Sequence, residues 1–277
     1  MRYALKLCYF GNSEEYEGFQ RQENKNTIEG NILDALKKAK LIEEVDSANY
    51  AAAGRTDRGV HALSQVIAIS TPEKLIIPAI NSFLPNNIVV WAEKVVDEKF
   101  HPRYDAFSRY YRYYTSYANE NLDLMREGAL LLEGRHDFKL FRKKQPKKSP
   151  IREIFQIRIE KKDPFLIFHI MANSFLWKMV RRIIDALLKI GELQWGLEDL
   201  KSLLNLNPKP NIYTTPRPIN GLGALILWDI EYPFKFQVDP NGLTRVKMLL
   251  YYHLSEFALK GYYTKDIFEF FNSINEK

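Results

Sequence analysis

One carboxylate, Asp57, stands between two arginines and two glycines in the run Gly54-Arg55-Thr56-Asp57-Arg58-Gly59-Val60-His61-Ala62. Glycine takes φ > 0 or admits close approach of another backbone, so this composition can present the aspartate on a sharp turn instead of along a strand. A single carboxylate with cations beside it suits a nucleophile or a general base. The plain alternative is an Asx-turn with solvated arginines, and the loop taken alone favours it. A metal-dependent phosphohydrolase could draw on Asp57, His61, His101, Asp105 and His136, but these lack the close ligand pairs that such sites carry on one element. The expectation is no metal.

Several segments are patterned to position that loop. Residues 2–10 and 65–70 alternate or run apolar and β-branched, as strands do, while Ile28, Ile32, Ala35, Leu36 and Ala39 share one face of a helix started by Thr27. A short helix over 78–83, a strand over 88–95 and an aromatic strand over 108–115 continue the pattern. Residues 151–160 and 165–171 read as a hairpin around Lys161-Lys162-Asp163-Pro164, and 224–230 as a last strand. The spacing predicts a helix over 173–190, with Asn173 as cap and Phe175, Leu176, Met179, Val180, Ile183, Ile184, Leu187 and Leu188 as one apolar stripe. Helices on one side of antiparallel strands give an α+β layering. Beyond Tyr232, a helix over 244–260 ended by Gly261 and a short one over 265–274 make a C-terminal extension suited to packing or dimer contact.

Composition narrows the class. The chain has 277 residues, enough for two modest domains or one continuous sheet, and a net charge of +6, which suits a polyanionic partner without requiring one. One cysteine, Cys8, permits no intramolecular disulfide and no cysteine-cluster metal site, so a reducing cytoplasm is the expected setting. The first ten residues lack the apolar core of a signal peptide, and no apolar run approaches membrane-spanning length.

An ordered series of further motifs accompanies the Asp57 loop. It comprises Tyr16-Glu17-Gly18-Phe19-Gln20-Arg21-Gln22, Thr27-Ile28-Glu29-Gly30, Asn81-Ser82-Phe83-Leu84-Pro85-Asn86-Asn87-Ile88, Phe100-His101-Pro102-Arg103 and Ser108-Arg109-Tyr110-Tyr111-Arg112-Tyr113. Arg135-His136-Asp137-Phe138 and Asn173-Ser174-Phe175-Leu176, leading into Met179-Val180-Arg181, complete it. Together, from about Arg2 to Tyr232, they resemble the TruA family of tRNA pseudouridine synthases. The resemblance implies a pseudouridine synthase fold: two ferredoxin-like halves forming one mostly antiparallel mixed sheet, with helices on one face and a central RNA-binding cleft. The expected boundaries are 1–99 for the N-terminal half, 100–233 for the C-terminal half and 234–277 for the helical extension.

The implied reaction isomerises uridine to pseudouridine in the tRNA anticodon stem-loop, at positions 38, 39 and/or 40, after the base is flipped out. As an isomerisation it calls for no cofactor. Asp57 matches the catalytic carboxylate, acting either as nucleophile or as the base of an elimination. Tyr111 matches the residue that packs on the target base, although alternation places Tyr113 on the same face. Arg181 matches the basic partner of the carboxylate, although Arg182 flanks the apolar stripe equally. Arg55 resembles the arginine that fills the space of the flipped base. Arg21, Arg58, Arg103, Arg109 and Arg112 are RNA-binding candidates, with Arg142, Lys143, Lys144, Lys147 and Lys148 as a further basic cluster, whereas Phe138 and Phe141 are expected in the core. The family also implies a homodimer.

Two departures from the family pattern stand out. In Thr215-Pro216-Arg217-Pro218-Ile219-Asn220-Gly221-Leu222-Gly223-Ala224-Leu225 the leucine meant for the uracil is either Leu222 or Leu225, and Asp185 stands where a small glycine is usual. A catalytically silent tRNA-binding protein using the same cleft is the competing reading.

Overall fold

In the computed structural model, which describes residues 1–143, 149–205 and 223–274, apolar alternation makes Arg2–Tyr9 the first strand, β1. Thr27 caps the helix that follows, α1 (Ile28–Lys38), its hydroxyl accepting from the Gly30 N–H at 3.2 Å. The chain continues through β2 (Ala51–Ala52), β3 (Val60–Ser70), α2 (Ile77–Phe83), β4 (Ile88–Val96) and β5 (Ser108–Ser116). Helix α3 (Leu122–Leu132), β6 (Gly134–Asp137), β7 (Ile151–Lys162), β8 (Phe165–Ala172), α4 (Met179–Gly191) and α5 (Leu197–Leu204) form the second half. The last elements are β9 (Ala224–Glu231), β10 (Gln237–Val238) and α6 (Pro240–Ile274).

Among the described residues ten strands form one sheet, nine of them in the order β10-β4-β1-β3-β9-β5-β8-β7-β6, with β2 paired to β3 off this path. Only the β3–β9 pair is parallel among the described strands, with Val60 opposite Leu225 and Ala62 opposite Leu227. Strand β9 therefore joins the halves, because its other edge pairs antiparallel with β5. Leu5, Leu7, Ile67 and Ile69 meet α1 in one apolar core; Tyr113, Phe168, Ile170, Ile183 and Leu187 build the other beneath α3 and α4. Alternation sends Tyr110, Arg112, Arg158 and His169 to the opposite face, where Tyr110 Oη lies 2.5 Å from His169 Nδ1. Phe138 and Phe141 are fully buried, as expected.

Two helix boundaries differ from expectation. Helix α4 starts at Met179, not at Asn173, because Asn173, just past the end of β8, is still bonded to β7: its N–H donates to Glu153 O at 3.0 Å and its Oδ1 accepts from Glu153 N at 3.2 Å. Residues 173–178 are consequently a loop, ending at Lys178 with φ of 65°. The extension is one continuous helix and not two, since Gly261 lies inside α6. A single glycine costs a helix only about 1 kcal/mol, less than a break would. Asp185 forms an i,i+4 ion pair with Lys189 at 3.0 Å. No helix of the described residues is long and apolar enough to cross a membrane.

Candidate active site

The Asp57 loop is anchored from behind by buried polar groups. Thr56 Oγ1 lies 2.7 Å from Tyr9 Oη, Thr56 O accepts from Phe19 N at 3.0 Å, and Gln65 Nε2 donates to Gly54 O at 3.2 Å. Tyr9 and Gln65 are fully buried, so the loop is fixed to the sheet by satisfied hydrogen bonds where an unmade one would be costly. Of the two glycines, only Gly59 uses the left-handed region, with φ of 77°; a Cβ at Gly54 would meet nothing within 4 Å.

Gly18 supports the loop directly. Its φ is 103°, and a Cβ there would lie 3.1 Å from Arg58 N, 3.2 Å from Thr56 O and 3.3 Å from the Asp57 carbonyl carbon. These are backbone atoms and cannot swing aside. Gly18→Ala is expected to cost about 1–2 kcal/mol from the positive φ alone and to displace Asp57 as well. A thermal melt and a kcat measurement on the same sample check this: kcat falling no further than stability explains would show that Gly18 matters only to folding.

Asp57 projects into a cleft of about 940 Å³ between the halves. Its Oδ1 accepts from the Trp177 indole N–H at 3.0 Å, and its Oδ2 pairs with Lys178 Nζ at 3.2 Å. Both partners come from the loop before α4. The Lys143 ammonium lies 4.1 Å from the Trp177 ring centroid, and the Lys143 N–H donates to Trp177 O at 3.0 Å. Sequence reasoning missed Trp177 and Lys178 because it placed them inside a helix; the signal available was their position between Leu176 and Met179 in the motif that ends at Arg181.

The structure separates the pairs that alternation and the helical wheel left equal. Tyr111 lines the cleft with its ring edge-on to Phe175 at 5.2 Å, whereas Tyr113 is buried in the second core. Burial and then the charge of Asp57 push the Tyr111 hydroxyl pKa up, keeping it a neutral phenol. Arg181 also lines the cleft, its guanidinium 5.9 Å from the Tyr113 ring centroid; Arg182 turns away and donates to Leu140 O at 3.4 Å. Leu225 stands on the cleft floor. Leu222, Lys144, Lys147 and Lys148 lie outside the described residues.

The arginines divide by what holds them. Arg21, Arg55 and Arg103 line the cleft with exposed side chains. Arg58 borders it but is tied down, donating from Nε to Ser13 O at 2.7 Å and pairing with Glu17 at 3.2 Å. Arg109, on the cleft wall, is buried and bonded to three backbone carbonyls: Ala106 O at 3.1 Å, Asn173 O at 2.7 Å and Arg103 O. Burial draws its pKa down. Arg112 is not brought to the cleft: it stands on the opposite face, donating to Tyr110 Oη at 2.7 Å and stacked 3.5 Å from the Trp228 ring centroid. Alternation along β5 explains the separation, because Arg112 lies between Tyr111 and Tyr113. The wall gains Arg152, absent from the expected set, whose pKa is drawn down first by burial and then by the charges of Arg103, Arg142 and Arg109.

Asp57, His61, His101, Asp105 and His136 are not gathered into a ligand set. Among the described residues no group of three His, Cys, Asp or Glu side chains could hold a metal ion. His136 Nε2 donates to Glu133 O at 2.7 Å, and His61 packs against Phe10, so each has a structural place. What the cleft offers is the Asp57 carboxylate, held at both oxygens, with the Tyr111 ring and several arginines lining the same space.

The chain is similar to known proteins over most of its length. The family described as tRNA pseudouridine synthase matches residues 129–233. The tRNA pseudouridine synthase A of Thermococcus onnurineus is 37% identical over 259 residues, covering 92% of this chain and 94% of that protein. Those of Methanosarcina mazei and Pyrococcus furiosus are 42% and 39% identical, covering 87% and 88% of this chain and 93% and 89% of theirs. With identity of this order along nearly the whole length, and a mixed α+β sheet carrying its cleft between two halves, the chain belongs to the TruA family of tRNA pseudouridine synthases.

Proposed function

We propose that this chain isomerises uridine to pseudouridine in the tRNA anticodon stem-loop, at positions 38, 39 and/or 40, with Asp57 as the reacting carboxylate. The observation that carries this reading is the placement of Asp57 in the cleft, between a tyrosine ring and cationic walls, at the junction of the two halves. A flipped uridine loses its stacking, and Tyr111 supplies a ring in compensation, a contact worth on the order of 1–3 kcal/mol. Leu225 packs against the base from below. Arg181 offsets the charge of Asp57 from the α4 side, and Arg55 occupies the space left by the base. Asp57 then acts at the sugar or as the base of an elimination, the uracil turns within the cleft, and C5 replaces N1 at the ribose; C5 gives up its proton to solvent and N1 takes one up, with no net redox change.

Tritium release from tRNA labelled at uridine C5 tests the reading. Release that persists in chelator supports it; tRNA binding without release favours the silent RNA-binding alternative. In the same reading the chain acts in the cytoplasm as a homodimer, with α6 supplying apolar contact through exposed Tyr251, Leu254, Phe257, Leu259 and Tyr262. A monomeric mass by sedimentation would remove the dimer.

Arg103 and Arg152 bind phosphate on the cleft wall. Converting both to glutamine is expected to raise KM for tRNA severalfold at fixed kcat and to reduce the slope of log affinity against log salt by about 1–2. An unaltered slope, measured by filter binding between low and moderate salt, would take these two residues out of the RNA interface.

A further inference from the structure

The loop before α4 holds more than the family motif requires of it. A carboxylate on a two-torsion side chain is aimed only if both oxygens are held, and here each oxygen has its own partner: the Trp177 indole N–H on Oδ1 at 3.0 Å and the Lys178 ammonium on Oδ2 at 3.2 Å. These donors approach from the opposite half of the sheet, 120 residues away in sequence for Trp177. Each bond occupies one lone pair and leaves another on the same oxygen. Trp177 is itself fixed, by the Lys143 N–H on its carbonyl and the Lys143 ammonium over its ring.

Lys178 sits where its backbone would prefer glycine. Its φ of 65° is left-handed, an arrangement that costs a side-chain-bearing L-residue free energy and that glycine adopts freely. It is also the N-cap of α4, but its side chain makes no capping hydrogen bond. The ammonium reaches across the cleft to Asp57 instead. Strain retained at a position whose side chain touches the reacting group points to a functional cause.

We propose that Trp177 and Lys178 are positioning residues that clamp the two oxygens of Asp57, setting its torsions and offsetting its charge before the nucleotide enters. This rests on Asp57 as the reacting carboxylate. The clamp closes only when the two halves of the sheet are correctly apposed, so it ties the geometry of the cleft to the aim of the carboxylate.

Single-turnover tritium release from a C5-labelled tRNA transcript at saturating enzyme, with affinity by filter binding and a thermal melt, tests it in Lys178→Gly, Lys178→Arg, Trp177→Phe and Asp57→Asn. Lys178→Gly relieves the backbone while removing the ammonium, so its melting temperature is expected to hold or rise while the rate falls about tenfold or more and tRNA affinity stays within about twofold. Lys178→Arg is expected to recover most of the rate. Trp177→Phe keeps a ring for Lys143 but loses the indole N–H, and is expected to slow the step about tenfold. A wild-type rate in Lys178→Gly or in Trp177→Phe, a Lys178→Arg as slow as Lys178→Gly, or a loss confined to tRNA affinity would each overturn the clamp. Asp57→Asn tells the two levels apart. If it stays active, the assignment of Asp57 and the clamp fall together; if it is inactive while Lys178→Gly and Trp177→Phe turn over normally, the clamp alone falls.

Discussion

Asp57→Asn is expected to abolish pseudouridine formation, by a factor of about 10⁴ or more, while tRNA affinity stays within about threefold. The amide matches the carboxylate in shape and its oxygen can still accept from Trp177, so the loop anchored by Tyr9, Gln65 and Thr56 keeps its place. In the proposed reading what disappears is the group that attacks or takes the proton; Glu17 and Glu29, which also line the cleft, are engaged by Arg58 and by the Arg21 N–H. The lost ion pair with Lys178 involves side chains about 30% and 25% exposed, so it contributes little to stability. In the same reading affinity comes from phosphate contacts along the cleft walls, to which one carboxylate adds only weak repulsion. Tritium release together with filter binding checks both halves of the expectation. Substantial release would place the chemistry on another residue, and a collapse of binding would make Asp57 a structural residue of the RNA interface.

Much of this site is written in local patterns, and the remainder depends on contacts that local patterns do not encode. Strand alternation and the Thr27 cap gave β1 and α1 nearly to the residue, because both signals act over a few positions. The Asp57 loop was visible from its glycines and charges. Tyr111 and Tyr113 share a face of β5 and became distinct only through what lies above each: Phe175 and the cleft for one, the core under α4 for the other. The loop at 173–178 was read as helix because its apolar residues fit the stripe of α4, and the ladder bond from Asn173 to Glu153 that prevents this is invisible without β7. With that loop went Trp177 and Lys178. Arg112 lies on the face opposite the cleft, stacked on Trp228, a placement its charge alone does not indicate.

Arg109 carries the largest structural effect we expect. Both Arg109→Ala and Arg109→Lys should lose about 3 kcal/mol of stability, read as a lower urea midpoint, and should impair turnover with it. Arg109 is only 9% exposed, and its guanidinium joins the 103–106 loop, through the carbonyls of Arg103 and Ala106, to the carbonyl of Asn173 at the head of the loop before α4. Truncation leaves those part-buried acceptors without their donor, at about 1–3 kcal/mol for each group left unsatisfied. Lysine keeps the charge but offers a compact ammonium in place of a planar fork, so it cannot reach acceptors lying in three directions. A phosphate-binding role alone predicts the opposite pattern: normal stability in both variants, weaker tRNA binding, and substantial rescue by lysine. The pattern expected here is loss of stability in both, because Arg109 holds in place the loop from which Trp177 and Lys178 reach Asp57.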